Sequence, residues 1–132
     1  MALIVLDASV LIALLDPADA FHGAAIAALD EHAAADLKVP ASAFSESLVG
    51  PARRGRAKAA RQAVEALLVD VVPITDRIAE AAAELRAREA KLRLPDALVI
   101  ATGVALGADT ILTGDAAWRR LSASVSVLSA AG

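Results

Sequence analysis

Four acidic residues stand where the sequence is otherwise apolar. Asp7 lies between ALIVL and ASVLIALL, and Asp96 opens LPDALVIATGVAL. Asp115 ends TILTGD, and Glu46 sits in PASAFSESLVG beside Phe44 and Leu48. A charged group at the rim of a core is costly unless it is paired or metal-bound. Each acid also has a local explanation. Asp7 could cap a helix starting at Ala8, and Asp115 one starting at Ala116. Asp96 would be favoured in a first helical turn by the macrodipole. Glu46 could point at water. Most other acids have bland surroundings. Glu80, Glu84 and Glu89 alternate with Arg77, Arg86, Arg88 and Lys91 on a polar helix face, where solvation and weak pairing suffice. Asp30, Glu31 and Asp36 lie in polar or alanine-rich stretches.

Whether the four unusual acids can meet depends on the elements that carry them. Ala2–Leu6 is short, apolar and branched, so it predicts a buried strand. Ala8–Leu15 predicts a helix stopped by Pro17. A second helix is expected over Phe21–Ala34 and a short strand over Leu37–Pro40. Ser42 is placed to cap a helix through Val49, which Gly50 and Pro51 break or kink. Arg56–Leu68 has helical spacing, and Val69–Ile74 predicts a third strand. Thr75 can cap a long helix over Asp76–Lys91 whose Ile78, Ala82, Leu85 stripe faces inward. Leu92–Leu94 reads as a loop. Pro95 suits the first turn of an apolar helix ending near Gly107. Thr110–Leu112 predicts a strand, Ala116–Leu121 a short helix and Val125–Leu128 a last strand.

Strands alternating with helices predict an α/β fold: a central, mostly parallel sheet of about five short strands flanked by helices in three layers. No linker, repeat or low-complexity stretch marks a second domain, so residues 1–132 are expected to form one. In an open parallel sheet, sites form outside the carboxyl ends of strands, near the point where strand order reverses. Asp7 and Asp115 follow predicted strands, and Asp96 and Glu46 lie near first turns of helices that can border the same crevice. Converging carboxylates repel one another. The basic residues lie elsewhere in sequence, so a bound cation is the natural compensation. All-oxygen ligation suits Mg²⁺ or Mn²⁺ rather than Zn²⁺.

Bulk properties set the limits. The 132 residues suffice for a real hydrophobic core. The chain is 58% hydrophobic but only 2% aromatic, and much of the excess is alanine, which favours helix. Mean hydropathy is +0.59, so a surface left partly apolar would suit a protein partner. Thirteen basic and 16 acidic residues give a net charge of −3, which does not itself point to nucleic acid. A nucleic-acid enzyme with this balance needs a local basic patch or bridging metal ions. Cysteine is absent, which excludes disulfides and thiolate sites and fits a cytoplasmic location. The apolar N-terminus lacks a basic n-region, and no apolar run approaches the ~20 residues that span a bilayer.

The segments VLDASVLIALL, ASAFSESLVG, LPDALVIATGVALGADTILTGD and AAWRRL, in that order and spacing, resemble the PIN-domain nucleases. In particular they resemble the VapC toxins of bacterial toxin–antitoxin pairs, across essentially the whole chain. The resemblance implies a PIN-like fold and an acidic quartet of Asp7, Glu46, Asp96 and Asp115. Ser9 and Thr113 match hydroxyls that support it. The resemblance further implies Mg²⁺- or Mn²⁺-dependent hydrolysis of RNA phosphodiester bonds. Asp7 and Asp96 are then the central ligands, with Glu46 and Asp115 completing the site or orienting water. It also implies a homodimer and a cognate VapB-type antitoxin that covers the active site, and the groove for it is expected on the Ala8–Leu15, Phe21–Ala34 and Ser42–Val49 helices. No membrane association is expected.

Arg53, Arg54, Arg56, Lys58 and Arg61 cluster after the Glu46 helix, and Arg119 and Arg120 follow Asp115. A solvated helix face explains them, and so does an RNA-backbone groove, with Arg53, Arg54, Arg56, Arg119 and Arg120 as its candidates. His22 and His32 show no triad or ligand spacing, and Trp118 is expected to pack the last short helix against the sheet. Two other readings compete. A haloacid-dehalogenase-type phosphatase also begins with a strand ending in Asp, but needs a second Asp where this chain has Ser9. A catalytically silent metal-, RNA- or protein-binding PIN module would share every motif.

Overall fold

The computed structural model describes residues 1–129. Five strands form one all-parallel sheet in the order β3-β2-β1-β4-β5. They are β1 (Leu3–Leu6), β2 (Asp36–Pro40), β3 (Val69–Val72), β4 (Thr110–Thr113) and β5 (Val125–Val127). The helices are α1 (Ala8–Leu15), α2 (His22–Glu31), α3 (Ala41–Arg53), α4 (Ala57–Ala66), α5 (Asp76–Arg88) and α6 (Leu94–Ala105). Ala116–Arg120 is a 3₁₀ turn.

The central strand β1 is LIVL, and Ile4, Val5 and Leu6 are buried on both faces, as a covered parallel strand requires. Chain direction assigns the layers. The steps β1 to β2 and β2 to β3 run one way along the sheet, and β3 to β4 runs back past β1. Right-handed crossovers therefore put α1–α4 on one face and α5–α6 on the other. This is a three-layer α/β/α arrangement, and its buried side chains form one core.

Local chemistry explains the ends of α6. Pro95 occupies the first turn, where its missing N–H costs nothing. At the other end Gly107 takes φ +64°. Its N–H donates to Val104 O (3.1 Å), and that of Ala108 donates to Gly103 O (2.9 Å), a Schellman closure. In the middle, Gly103 lets α6 lie against β4: a Cβ there would fall 2.5 Å from Ile111 Cδ1.

Several boundaries differ from expectation. α3 does not stop at Val49 but continues through Gly50 and Pro51 to Arg53. Pro51 forfeits its N–H bond within α3, and packing of α3 against α1 and α4 carries the helix through it. Ser42 is not the cap: Pro40 holds that position, and Ser42 Oγ is buried without a partner. α2 ends at Glu31 and α5 at Arg88, because the residues beyond lack an apolar stripe to bury. Thr75 does cap α5, accepting from the Ile78 N–H at 3.2 Å, and Trp118 is buried under the 3₁₀ turn. Among the described residues no helix is long and apolar enough to cross a membrane.

Candidate active site

β1 is flanked by β2 on one side and β4 on the other, so strand order reverses at β1/β4. A crevice opens outside the carboxyl ends of such a pair. Asp7 is the first residue beyond β1, yet its N–H still donates to Leu112 O of β4 at 2.9 Å. Asp7 is buried, and both its carboxylate oxygens are engaged. Oδ1 accepts from the Ala8 N–H at 2.8 Å, so Asp7 is the N-cap of α1. Oδ2 accepts from Ser9 Oγ at 2.8 Å and from Thr113 Oγ1 at 2.9 Å.

Those hydroxyls are themselves fixed. Ser9 Oγ accepts from the Gly114 N–H at 3.0 Å, and Thr113 Oγ1 accepts from the Asp115 N–H at 3.1 Å. Asp115 is exposed and caps the 3₁₀ turn, its Oδ1 accepting from the Ala117 N–H at 2.9 Å. A hydrogen-bonded circuit thus ties the start of α1 to the loop after β4 and locks the Asp7 carboxylate in one orientation. The capping roles of Asp7 and Asp115 are real; Asp7 directly follows the carboxyl end of β1, and Asp115 lies in the loop beyond that of β4.

Asp96 is the third residue of α6, half-buried and without a hydrogen bond among the described residues. Burial, and then the negative charge of Asp7, push its carboxyl up to about 6; Arg93 opposes this, and Asp115 and Glu46 add to it. Glu46 projects from the middle of α3. It is more exposed, and its carboxyl is also raised, by desolvation first and by Asp7 second, again against Arg93. Asp96 is thus within electrostatic reach of each of the other three acids. Among the described residues, no three of these groups already stand close enough to hold an ion between them.

The basic candidates separate. Arg54 and Arg56 line a cavity of about 360 Å³ between α1, α3 and α4, which Glu46 also lines. Arg53 is exposed on the last turn of α3 and does not line it. Arg120 is engaged with Glu89 at 2.9 Å, whereas Arg119 is exposed on the 3₁₀ turn. Arg93 was missing from the sequence reading, although its spacing of three from Asp96 would have placed it beside that acid had it been taken as the N-cap of α6.

The profile of the PIN domain family matches residues 4–123. Solved structures share the fold. A toxin–antitoxin complex from Klebsiella pneumoniae superposes with TM-score 0.75 at 24% identity, covering 96% of this chain and 97% of that one. VapC20 of Mycobacterium tuberculosis, a sarcin–ricin-loop-cleaving toxin, gives 0.69 at 23% identity, covering 82% and 86%. VapBC2 of Rickettsia felis, bound to a DNA fragment from its promoter, gives 0.77 at 12% identity, covering 96% and 99%. Among curated protein sequences no relative matches. An all-parallel sheet whose order reverses at β1/β4, together with a profile spanning nearly its whole length, makes this chain a member of the PIN domain family.

Proposed function

We propose that this protein is a metal-dependent endoribonuclease and the toxin of a VapBC-type toxin–antitoxin pair. The observation that carries the reading is the Asp7 carboxylate, held by three donors at the sheet's reversal point, with the half-buried Asp96 at the start of α6 unpaired among the described residues. The toxin structures that share the fold support the biological role.

The donor set fits a hard divalent cation. Mg²⁺ commonly takes one or two carboxylates and keeps several waters, so a site need not close into a cage of acids. Asp7 and Asp96 would hold Mg²⁺ or Mn²⁺, with Glu46 and Asp115 completing the site or orienting water. When bound, such an ion polarises a phosphoryl oxygen, lowers the pKa of water and offsets charge on the leaving oxygen. The chain's own contribution is placement. Ser9 and Thr113 fix Asp7, partial burial at the start of α6 keeps Asp96 partly dry, and Glu46 offers an acceptor for a proton from water. These effects are positional and electrostatic, the terms that dominate phosphoryl-transfer catalysis.

Arg54 and Arg56 are placed to follow an RNA backbone past Glu46, whereas the pairing of Arg120 argues against it as a phosphate contact. The cavity beside Glu46 is lined by Ile12 and Leu15 of α1 and by Ala59, Ala60 and Ala63 of α4, so α1 and α3 of the expected antitoxin groove border it together with α4. An antitoxin segment seated there would reach the acids directly. A homodimer completes the proposal, and light scattering at micromolar concentration tests it.

Purified protein incubated with structured RNA tests the central reading. Cleavage is expected with Mg²⁺ or Mn²⁺, lost with a chelator and in Asp7→Asn and Asp96→Asn. Failure to cleave with either metal would instead indicate a silent binding module, and wild-type rates in either variant would overturn the site.

A further inference from the structure

Arg93 lies outside every motif of the sequence reading, but its position is unusual. It is the N-cap of α6 and Asp96 is the third residue of that helix. Cap and third residue are neighbours across the first turn, the spacing that capping boxes exploit. Its backbone is extended (φ −75°, ψ 152°), and no side chain caps the helix there. Arg93 O accepts the first helical bond, from the Ala97 N–H at 3.0 Å, which anchors the residue to α6.

Other arginines of this chain do pair with surface carboxylates: Arg61 with Glu65 at 3.3 Å, and Arg120 with Glu89 at 2.9 Å. Arg93 makes no ion pair and no side-chain hydrogen bond among the described residues, and it is exposed. Its positive charge is nevertheless felt by Asp96 on α6 and by Glu46 on α3. The first-turn spacing thus sets Arg93 next to Asp96 on α6, with its donors free among the described residues.

Four acids oppose the approach of a phosphodiester. A fixed cation at one edge relieves that repulsion and offers a planar fork matched to two phosphate oxygens. We infer that Arg93 binds an RNA phosphate at the Asp96 side of the crevice, and so sets the side from which the strand enters. The inference rests on the nuclease reading and names a substrate contact within it. Arg54 and Arg56, which line the cavity beside Glu46, would give the strand further cationic contacts.

The test uses the full chain with a single-stranded RNA oligonucleotide and Mn²⁺. Arg93→Gln is expected to raise KM about tenfold, as loss of one charge-assisted contact implies, with kcat changed by less than about threefold. Arg93→Lys should recover part of the loss, since it restores charge without the fork. RNA binding, measured in the Asp7→Asn background, should show a salt-dependence slope shallower by about 0.7 for each phosphate contact removed from a single strand. Unchanged KM and slope would overturn the inference. So would a fall in kcat alone, which would mean that Arg93 acts only through the acids. Thermal melts that match wild type exclude misfolding, and Arg93→Lys keeps the test valid should Arg93→Gln melt early. If wild type itself cleaves no RNA with either metal, the nuclease reading falls first, and this contact falls with it.

Discussion

Thr113 Oγ1 donates to Asp7 Oδ2 at 2.9 Å, joining residues 106 apart in sequence across the β1/β4 pair. The same oxygen accepts from the Asp115 N–H, so one hydroxyl links two of the four acids. Thr113 is wholly buried, and water cannot replace what it supplies.

Thr113→Val keeps the shape and removes the hydroxyl. It leaves a buried carboxylate oxygen and a backbone N–H short of a partner, which costs about 1–3 kcal/mol. A lower urea midpoint with an unchanged slope is the expected result. RNA cleavage should fall at least about tenfold as Asp7 loses its orientation, and Thr113→Ser should restore most of both. Equal cleavage by Thr113→Val and wild type would show that the circuit is structural only.

The raised carboxyl of Asp96 has a consequence for stability. It titrates near 6 in the fold against an ordinary value of 3.8, so the folded chain holds this proton more tightly than the unfolded chain. The resulting stabilisation is fully present below pH 3.8 and is lost as pH rises through about 6. Metal-free protein at pH 8 therefore carries a destabilising charge. Asp96→Asn removes it and should raise stability at pH 8 by on the order of 1 kcal/mol, after discounting for the residue's solvent exposure. The gain should shrink towards pH 4. Chemical denaturation in EDTA at the two pH values measures it, and a gain independent of pH would contradict the charge-based account.

Gly103 faces Ile111 so closely that an added Cβ would fall 2.5 Å from two atoms of that side chain. Gly103→Ala should cost about 1–3 kcal/mol by overpacking despite the better helix propensity of alanine. Shortening the neighbour makes room. Ile111→Ala alone should cost about 2–5 kcal/mol, and the double variant should be less destabilised than the sum of the two. Additive costs in a denaturation series would mean that α6 simply shifts outward.

Much of this was legible because it is local. Asp7 followed by ASVLIALL marks a cap and a helix, and α1 spans the expected residues. Pro95 and Gly107 bracket α6, and Thr75 caps α5. The four acids stood out because each interrupts an apolar run. What was not legible depends on distant partners. Nothing near Thr113 says that its hydroxyl meets Asp7, 106 residues away. The end of α3 was misplaced for a related reason. Gly50 and Pro51 break helices in isolation, but packing of α3 against α1 and α4 carries the helix through them.

The four acids are not equivalent, and metal binding should reveal the order. Asp7 is buried with its carboxylate immobilised, whereas Asp115 is exposed and spends one oxygen capping the 3₁₀ turn. A preorganised ligand contributes more than one that must be ordered on binding. Mn²⁺ at a hundred times its Kd should stabilise the wild type by about 2.7 kcal/mol, seen as a rise in Tm. Asp7→Asn should abolish that rise, because the amide puts a neutral group at the point that the three donors fix. Asp115→Asn should keep part of it, since Asp7 and Asp96 remain. A scan in which Asp115→Asn loses the whole rise while Asp7→Asn retains it would reverse the assignment of central and accessory ligands.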